Sequence, residues 1–314
     1  MNETTAVAPA AVAPIMGFLN INKPAGWTSH DVVAKVRGLL RASGAPKVGH
    51  VGTLDPMATG VLPLCVGKAT KVSDYVMASK KSYRAVMKLG ERTETQDATG
   101  AVLTSAPVDA VDRARVDAAC REFVGTIQQL PPMYSAVKIG GAPLYKAARA
   151  GQVVERTPRS VVIEALRILS VDGPLVTFDV DCSKGTYIRT LCADIGDRLG
   201  VGAHLFQLQR RRVGDFVIEE AVGVTAVEAA AASGGLSSLL VSVDRALAHL
   251  PALLVDTAAA ERVRHGAGVS VSSVRTAAPL RDGDTVRVCA ADGELLAIGG
   301  VAGGTIRLHT VLAA

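Results

Sequence analysis

The run Gly49-His50-Val51-Gly52-Thr53-Leu54-Asp55-Pro56 sets a single carboxylate in a stretch with too many glycines for a regular element, and Pro56 biases Asp55 away from helix. An aspartate of ordinary pKa, about 3.9, stays largely ionised at neutral pH even if burial raises it by about two units, so it can act as a nucleophile. Spacing alone also reads Asp55-Pro56 as a turn. Tyr83 offers a ring for stacking and a phenol for proton transfer, and its place in an alternating segment equally suits a core aromatic. Tyr187 and Arg189 fall where a helical stripe begins, and the N–H dipoles of a first turn favour anions. His50 is either a solvated loop histidine or a group that touches a ligand.

These side chains need elements to hold them. Gly17 to Asn22 reads as a short strand that breaks at Lys23-Pro24. Thr28 and Asp31 have capping-box spacing, and Val32, Val33, Val36, Leu39 and Leu40 share one helical face up to about Arg41. Residues 47–60 read as a structured loop, followed by an apolar strand from Val61 to Val66. Ser82 to Leu89 alternates and places Tyr83, Ala85, Met87 and Leu89 on one face. A helix over about Asp109–Phe123 leads into a flap at about 124–151, which interleaves Tyr134, Lys138, Tyr145, Lys146 and Arg149 with glycines. Strands are predicted over about Ser160–Leu169 and Leu175–Cys182. Ile188, Leu191, Ile195 and Leu199 then form a helical stripe that ends at Gly200. Residues 221–250 read as helical with a break at Gly234-Gly235, and short β segments such as Thr285–Val288 and Thr305–Leu308 follow beyond Pro251.

Composition narrows the class. With 49% hydrophobic and 20% charged residues the 314-residue chain has ample material for a core. The expected division is an extension over 1–15, a large domain over 16–250 and a small β domain over 251–314. Net charge is +5, and all of the excess lies in the first part: 28 Lys and Arg against 23 Asp and Glu in residues 1–250, and 6 against 6 beyond. An anionic partner suits that distribution. Five cysteines with no C-x-x-C pair and no zinc spacing read as reduced, buried thiols. No run approaches the roughly 20 apolar residues of a membrane span, and these features together predict a cytoplasmic protein.

The Gly49–Pro56 run, continued through Met57-Ala58-Thr59-Gly60-Val61-Leu62-Pro63, closely resembles the catalytic motif of the bacterial tRNA pseudouridine-55 synthases, the TruB family. The resemblance extends through Asn22–Gly26, Lys81–Arg84, Met133–Ala136, Cys182–Arg189 and Gly202–His204, and covers about residues 17–220. The C-terminal piece resembles the family's PUA-type RNA-binding domain in length and β character. The fold so implied is α+β, a mixed, largely antiparallel sheet with flanking helices and a catalytic cleft, plus a small C-terminal PUA-like β domain.

The implied reaction breaks a glycosidic bond, turns the base and rejoins it through carbon 5, with no net redox change, so no cofactor and no metal is expected. It needs a nucleophile, a cation that keeps it ionised, and a base for the carbon-5 proton. By resemblance these roles fall to Asp55, Arg189 and Tyr83, with Tyr187 and Leu208 lining the pocket and His50 entering the gap left by a flipped uridine. Lys23, Tyr134 and Lys138, with Lys47 and Arg210-Arg211-Arg212, are expected to grip the RNA. Gln209 stands where many relatives carry Arg. The expected partner is the T-arm of tRNA, bound by a monomer away from membranes. Two other readings share these residues: a tRNA-binding chaperone without essential catalysis, and a guide-RNA-dependent pseudouridine synthase subunit. A zinc base deaminase is excluded by the missing H-x-E and P-C-x-x-C signature.

Overall fold

The strict alternation of Lys81–Leu89, buried at every second residue, marks the strand around which the large sheet is organised. A computed structural model describes residues 15–41, 47–135, 137–139, 141–152, 154–276 and 279–313. The extension expected over 1–15 lies, but for its last residue, outside the described residues. The large sheet has ten strands in the order Leu240–Val241, Gly17–Lys23, Thr59–Val66, Ala203–Val213, Lys81–Leu89, Leu175–Cys182, Arg159–Asp172 and Gly125–Gln129. Val48–His50 pairs beside Thr59–Val66, and Phe216–Val217 beside Ala203–Val213. Every pairing in it is antiparallel except the short contact of Gln209 and Arg210 with Thr59 and Gly60. The fold is α+β, as the resemblance implied.

The helix Ser29–Leu39 starts at the predicted capping box, with the Thr28 hydroxyl accepting from Asp31 N and the Asp31 carboxylate accepting from Thr28 N. The helix Ile188–Leu199 ends at Gly200 in the left-handed conformation, φ 80. Its apolar stripe packs on Ala85, Met87, Val176, Phe178 and Val180 of the sheet in one continuous core. Tyr187 is the N-cap residue and Arg189 lies in the first turn, so only the arginine sits where the stripe placed both. The helix expected over about Asp109–Phe123 is confined to Arg113–Arg121, with Asp112 as its N-cap.

A second sheet of six strands runs Val269–Ser270, Thr305–Val311, Leu295–Ala302, Thr285–Ala290, Ala252–Val255 and Arg275–Thr276, and the helix Thr257–Arg264 packs on it. It is fastened to the large sheet by shared apolar packing of Phe18, Val61, Val72 and Val76 with Ile298 and Leu312. Arg287 adds a latch, its Nε donating to Leu250 O at 3.0 Å and its Nη1 to the Asp244 carboxylate. All five cysteines are free and buried. Among the described residues no helix is long and apolar enough to cross a membrane.

Candidate active site

Asp55 lies on the loop between Val48–His50 and Thr59–Val66. The Pro56 ring keeps the chain out of helix, and the loop closes by a bond from Ala58 N to Asp55 O of 3.0 Å. At the loop's far end Gly60 has φ +100, and a Cβ there would lie 2.2 Å from Arg210 O. Only glycine lets the chain return this close to the neighbouring strand.

Arg189 reaches the carboxylate from the helix side. Its Nε is 3.0 Å from Asp55 Oδ2 and its Nη2 donates to Oδ1 at 3.3 Å, a bidentate pairing. The same guanidinium donates to Thr95 O at 3.2 Å and Tyr134 O at 2.8 Å, and Nη1 lies 3.6 Å from Asp97 Oδ2. Arg189 is buried, whereas about a third of the Asp55 side chain, 35%, remains accessible. The carboxylate is therefore paired on one side and open on the other, which suits a nucleophile. Burial raises the Asp55 carboxyl above its ordinary range; Arg189 draws it down, Asp97 pushes it up and Lys23 draws it down again. The net direction is upward.

Tyr83 is buried on the sheet face toward this loop, directly across from Val180 on one side and Arg210 on the other. Burial pushes its phenol up to about 12, against the pull of Arg210. Leu208 opposes Ala85 two residues along the same face and is half-buried against the apolar core. Tyr187 stands at the helix N-terminus, its backbone clamped by Gln129, whose side chain donates to Tyr187 O at 3.1 Å and accepts from Tyr187 N at 2.9 Å. Burial raises the Tyr187 phenol as well.

The remaining expected contacts divide. His50 is half-buried at the start of the loop, and its Nδ1 is shut off from solvent with no hydrogen-bond partner among the described residues. Burial, then Arg210 and His30, lower its pKa, so the ring is neutral at pH 7. Tyr134 meets the site through its backbone oxygen, while its hydroxyl donates to Glu94 at 3.0 Å. Lys138 lies in the short strand Lys138–Ile139 of the flap. Lys23 does not face RNA: it is fully buried, and Nζ donates to Pro24 O at 2.9 Å, Trp27 O at 2.6 Å and Pro56 O at 3.2 Å. The Lys-Pro break fixes the chain so that the ammonium fills a cluster of carbonyls under the loop that carries Asp55. Arg210 is likewise buried, its Nε on Val61 O and its Nη atoms on Thr53 O and Gly52 O. It cannot contact phosphate. Arg211 and Arg212 remain partly accessible.

Asp97 and Gln129 were not singled out from sequence. Asp97 is buried and accepts from the Thr95 hydroxyl at 2.7 Å and Thr99 N at 3.0 Å. Just before it Gln96 has φ 61, the one positive value on a non-glycine among the described residues. The Thr93-Glu94-Thr95-Gln96-Asp97-Ala98-Thr99-Gly100 segment carried a usable signal, since an aspartate between two threonines favours local turn bonding. Among the described residues no group of three or more His, Cys, Asp or Glu could hold a metal.

Residues 39–188 match the N-terminal domain of the TruB family pseudouridylate synthases, and residues 189–248 match the tRNA pseudouridylate synthase B C-terminal domain. The six-stranded sheet lies beyond both matches. Similar curated proteins are tRNA pseudouridine synthase B of Geobacter sulfurreducens, 46% identical over 283 residues covering 87% of this chain and 92% of that one, and its counterpart in Burkholderia mallei, 46% identical over 282 residues covering 90% and 92%. Among solved structures, one of a Cbf5-Nop10-Gar1 complex aligns with TM-score 0.75 at 30% identity, over 94% of this chain and 84% of that one. An H/ACA RNP bound to a substrate RNA containing 2'-deoxyuridine aligns with TM-score 0.74 at 27% identity, over 95% and 85%.

Proposed function

Because the chain belongs to the TruB family of tRNA pseudouridine synthases and isomerises uridine to pseudouridine in tRNA, we propose that its target is uridine 55 of the T-loop and that Asp55 is the nucleophile. The observation that carries this reading is the half-open Asp55 carboxylate held bidentately by the buried Arg189. Arg189 keeps the group ionised against the upward pull of burial. The carboxylate then holds the detached sugar or base as a covalent adduct while carbon 5 replaces nitrogen 1 on the ribose and loses its proton.

Tyr83 and Tyr187 supply aromatic surfaces near Asp55. Stacking returns about 1–3 kcal/mol per base, and flipping costs a few kcal/mol, so one ring contact offsets much of that cost. The neutral His50 ring with its unspent Nδ1 suits the gap that the base leaves. The proton at carbon 5 is assigned to Tyr83. At about 12 the phenol is protonated at pH 7, so it accepts that proton only as phenolate, after giving its own to solvent, and the adjoining Arg210 cation favours that loss. Lys138, Tyr134, Arg211 and Arg212 are left to position the RNA backbone, and the six-stranded sheet adds RNA affinity without chemistry.

A binding protein without catalysis gives no reason to desolvate a carboxylate beside a second one. A guide-RNA subunit is disfavoured because the 46% relatives are named as tRNA enzymes. The test is to incubate the purified protein with unmodified tRNA, map pseudouridine, and repeat with Asp55→Asn. Product confined to nucleotide 55 is expected, with none from Asp55→Asn and tRNA affinity within about tenfold of wild type. Near-normal turnover by Asp55→Asn refutes the nucleophile.

A further inference from the structure

Arg210 is 1% exposed, among the largest fully buried side chains of the molecule, and no carboxylate pairs with it among the described residues. Its three guanidinium nitrogens are instead spent on backbone oxygens at both ends of one loop: Val61 O at 2.7 Å from Nε, Thr53 O at 3.3 Å from Nη1 and Gly52 O at 2.9 Å from Nη2. Asp55 lies between those anchor points. On the strand itself Arg210 is the direct partner of Gly60, from the same loop, and of Tyr83 on its other side. The charge of the guanidinium is within electrostatic reach of Tyr83 and of Asp55.

We propose that Arg210 is a positioning residue for the isomerisation, clamping the loop that carries Asp55 to the strand beneath it and holding Tyr83 in the same grip. This rests on the reading that Asp55 is the nucleophile. A buried cation without a counter-ion is costly, and a backbone carbonyl by itself needs only a neutral hydrogen-bond donor. A cation is useful where negative charge is handled: Asp55 and Tyr83 are the anionic or potentially anionic groups that Arg210 faces. Its planar fork carries three separated donor nitrogens, which an ammonium's single nitrogen lacks, and so spans acceptors at both ends of the loop. Gly52, at φ +85, would place a Cβ 3.5 Å from Nη1, so the loop packs directly on the guanidinium.

The test compares Arg210→Lys and Arg210→Gln with wild type for tRNA affinity, thermal midpoint and single-turnover rate at saturating enzyme. Arg210→Gln is expected to lose about a hundredfold or more in rate and Arg210→Lys about tenfold, with tRNA dissociation constants within about threefold of wild type. Partial rescue by lysine at unchanged affinity is not what a purely structural anchor produces. A folded variant of either kind that reacts within about threefold of wild type overturns the proposal, as does a loss that appears wholly in affinity. If neither variant folds, it is overturned too, since Arg210 then serves the fold and not the site. Asp55→Asn run alongside separates the two claims. An active Asp55→Asn removes the nucleophile reading, whereas an inactive one beside an unimpaired Arg210→Gln removes only the role of Arg210.

Discussion

The two sheets of this molecule bury different things. Among the described residues every buried polar or charged side chain, from Asn20 to Arg210, belongs to the large sheet or to the helices, loops and short strands that cover it, including Lys23, Lys81, Asp97, Arg189 and His204. The six-stranded sheet encloses only apolar groups such as Leu253, Val255, Val286, Val288, Leu296 and Ile306, and its Arg264 pairs with Glu261 and Glu294 at the surface. Desolvating one ion costs several kcal/mol in a real protein, whereas each enclosed aliphatic side chain returns about 1.5–3 kcal/mol. The large sheet therefore carries a standing cost that the small one avoids. Much of that cost lies around the loop at 52–61, where the proposed chemistry supplies a reason for it.

The hardest test of that contrast is Arg189→Met. It removes the partner of Asp55 and strands Asp97, and we expect a loss of about a thousandfold in single-turnover rate, on the order of 4 kcal/mol of barrier. Since Arg189 lowers the Asp55 carboxyl, its removal raises that pKa further. The proposed Asp55 nucleophile acts in its ionised form, so the rate is expected to fall as pH drops through that pKa, and the acid limb of the pH–rate profile to move to higher pH. A profile that stays in place means that Arg189 does not act on Asp55.

Asp97→Asn sharpens the same comparison with a smaller effect and the opposite sign. Asp97 pushes the Asp55 carboxyl up, so neutralising it lowers that pKa and moves the acid limb to lower pH. Near neutrality a loss of about tenfold is expected, because Arg189 keeps Asp55, Thr95 O and Tyr134 O but loses one of its restraints. An acid limb that moves upward excludes the electrostatic assignment.

How much of this was legible in sequence depends on the phase of each pattern. Leu175–Cys182 and the Thr28 cap appear as predicted, because an alternating strand and a capping box are local signals. Ala203–Val213, which holds Leu208 and Arg210 near the middle of the large sheet, was not predicted as a strand. Its register shifts between Leu205 and Gln207 and again between Arg210 and Arg212, and each bulge breaks the two-residue alternation that would reveal it. The same break misplaced Arg210 among phosphate-binding residues, since Arg210-Arg211-Arg212 reads as an exposed basic run. Lys23 went wrong for a related reason. Its three carbonyl partners include Pro56, 33 residues away, and no local pattern encodes such a pocket. The short strand Val48–His50 was read as loop because glycine content outweighed its pairing with Leu64 to Val66.

The smallest effect is expected where the comparison says chemistry is absent. Ile306 is fully buried in the six-stranded sheet, paired with Val301 on one side and Val269 on the other. Ile306→Val deletes one methylene, which costs about 0.5–1.5 kcal/mol of stability in a well-packed core, and the neighbouring aliphatic side chains can close only part of the gap. That loss is read as a lower thermal midpoint or a transition at lower denaturant. No charged or hydrogen-bonding group moves, and the shared packing with the large sheet runs through Ile298 and Leu312, residues that this change leaves in place. The single-turnover rate on saturating tRNA should therefore stay within about twofold of wild type. A tenfold fall in that rate from a folded Ile306→Val protein would mean that the apolar sheet governs the chemical step, and the division between a charged catalytic sheet and an inert second one would have to be abandoned.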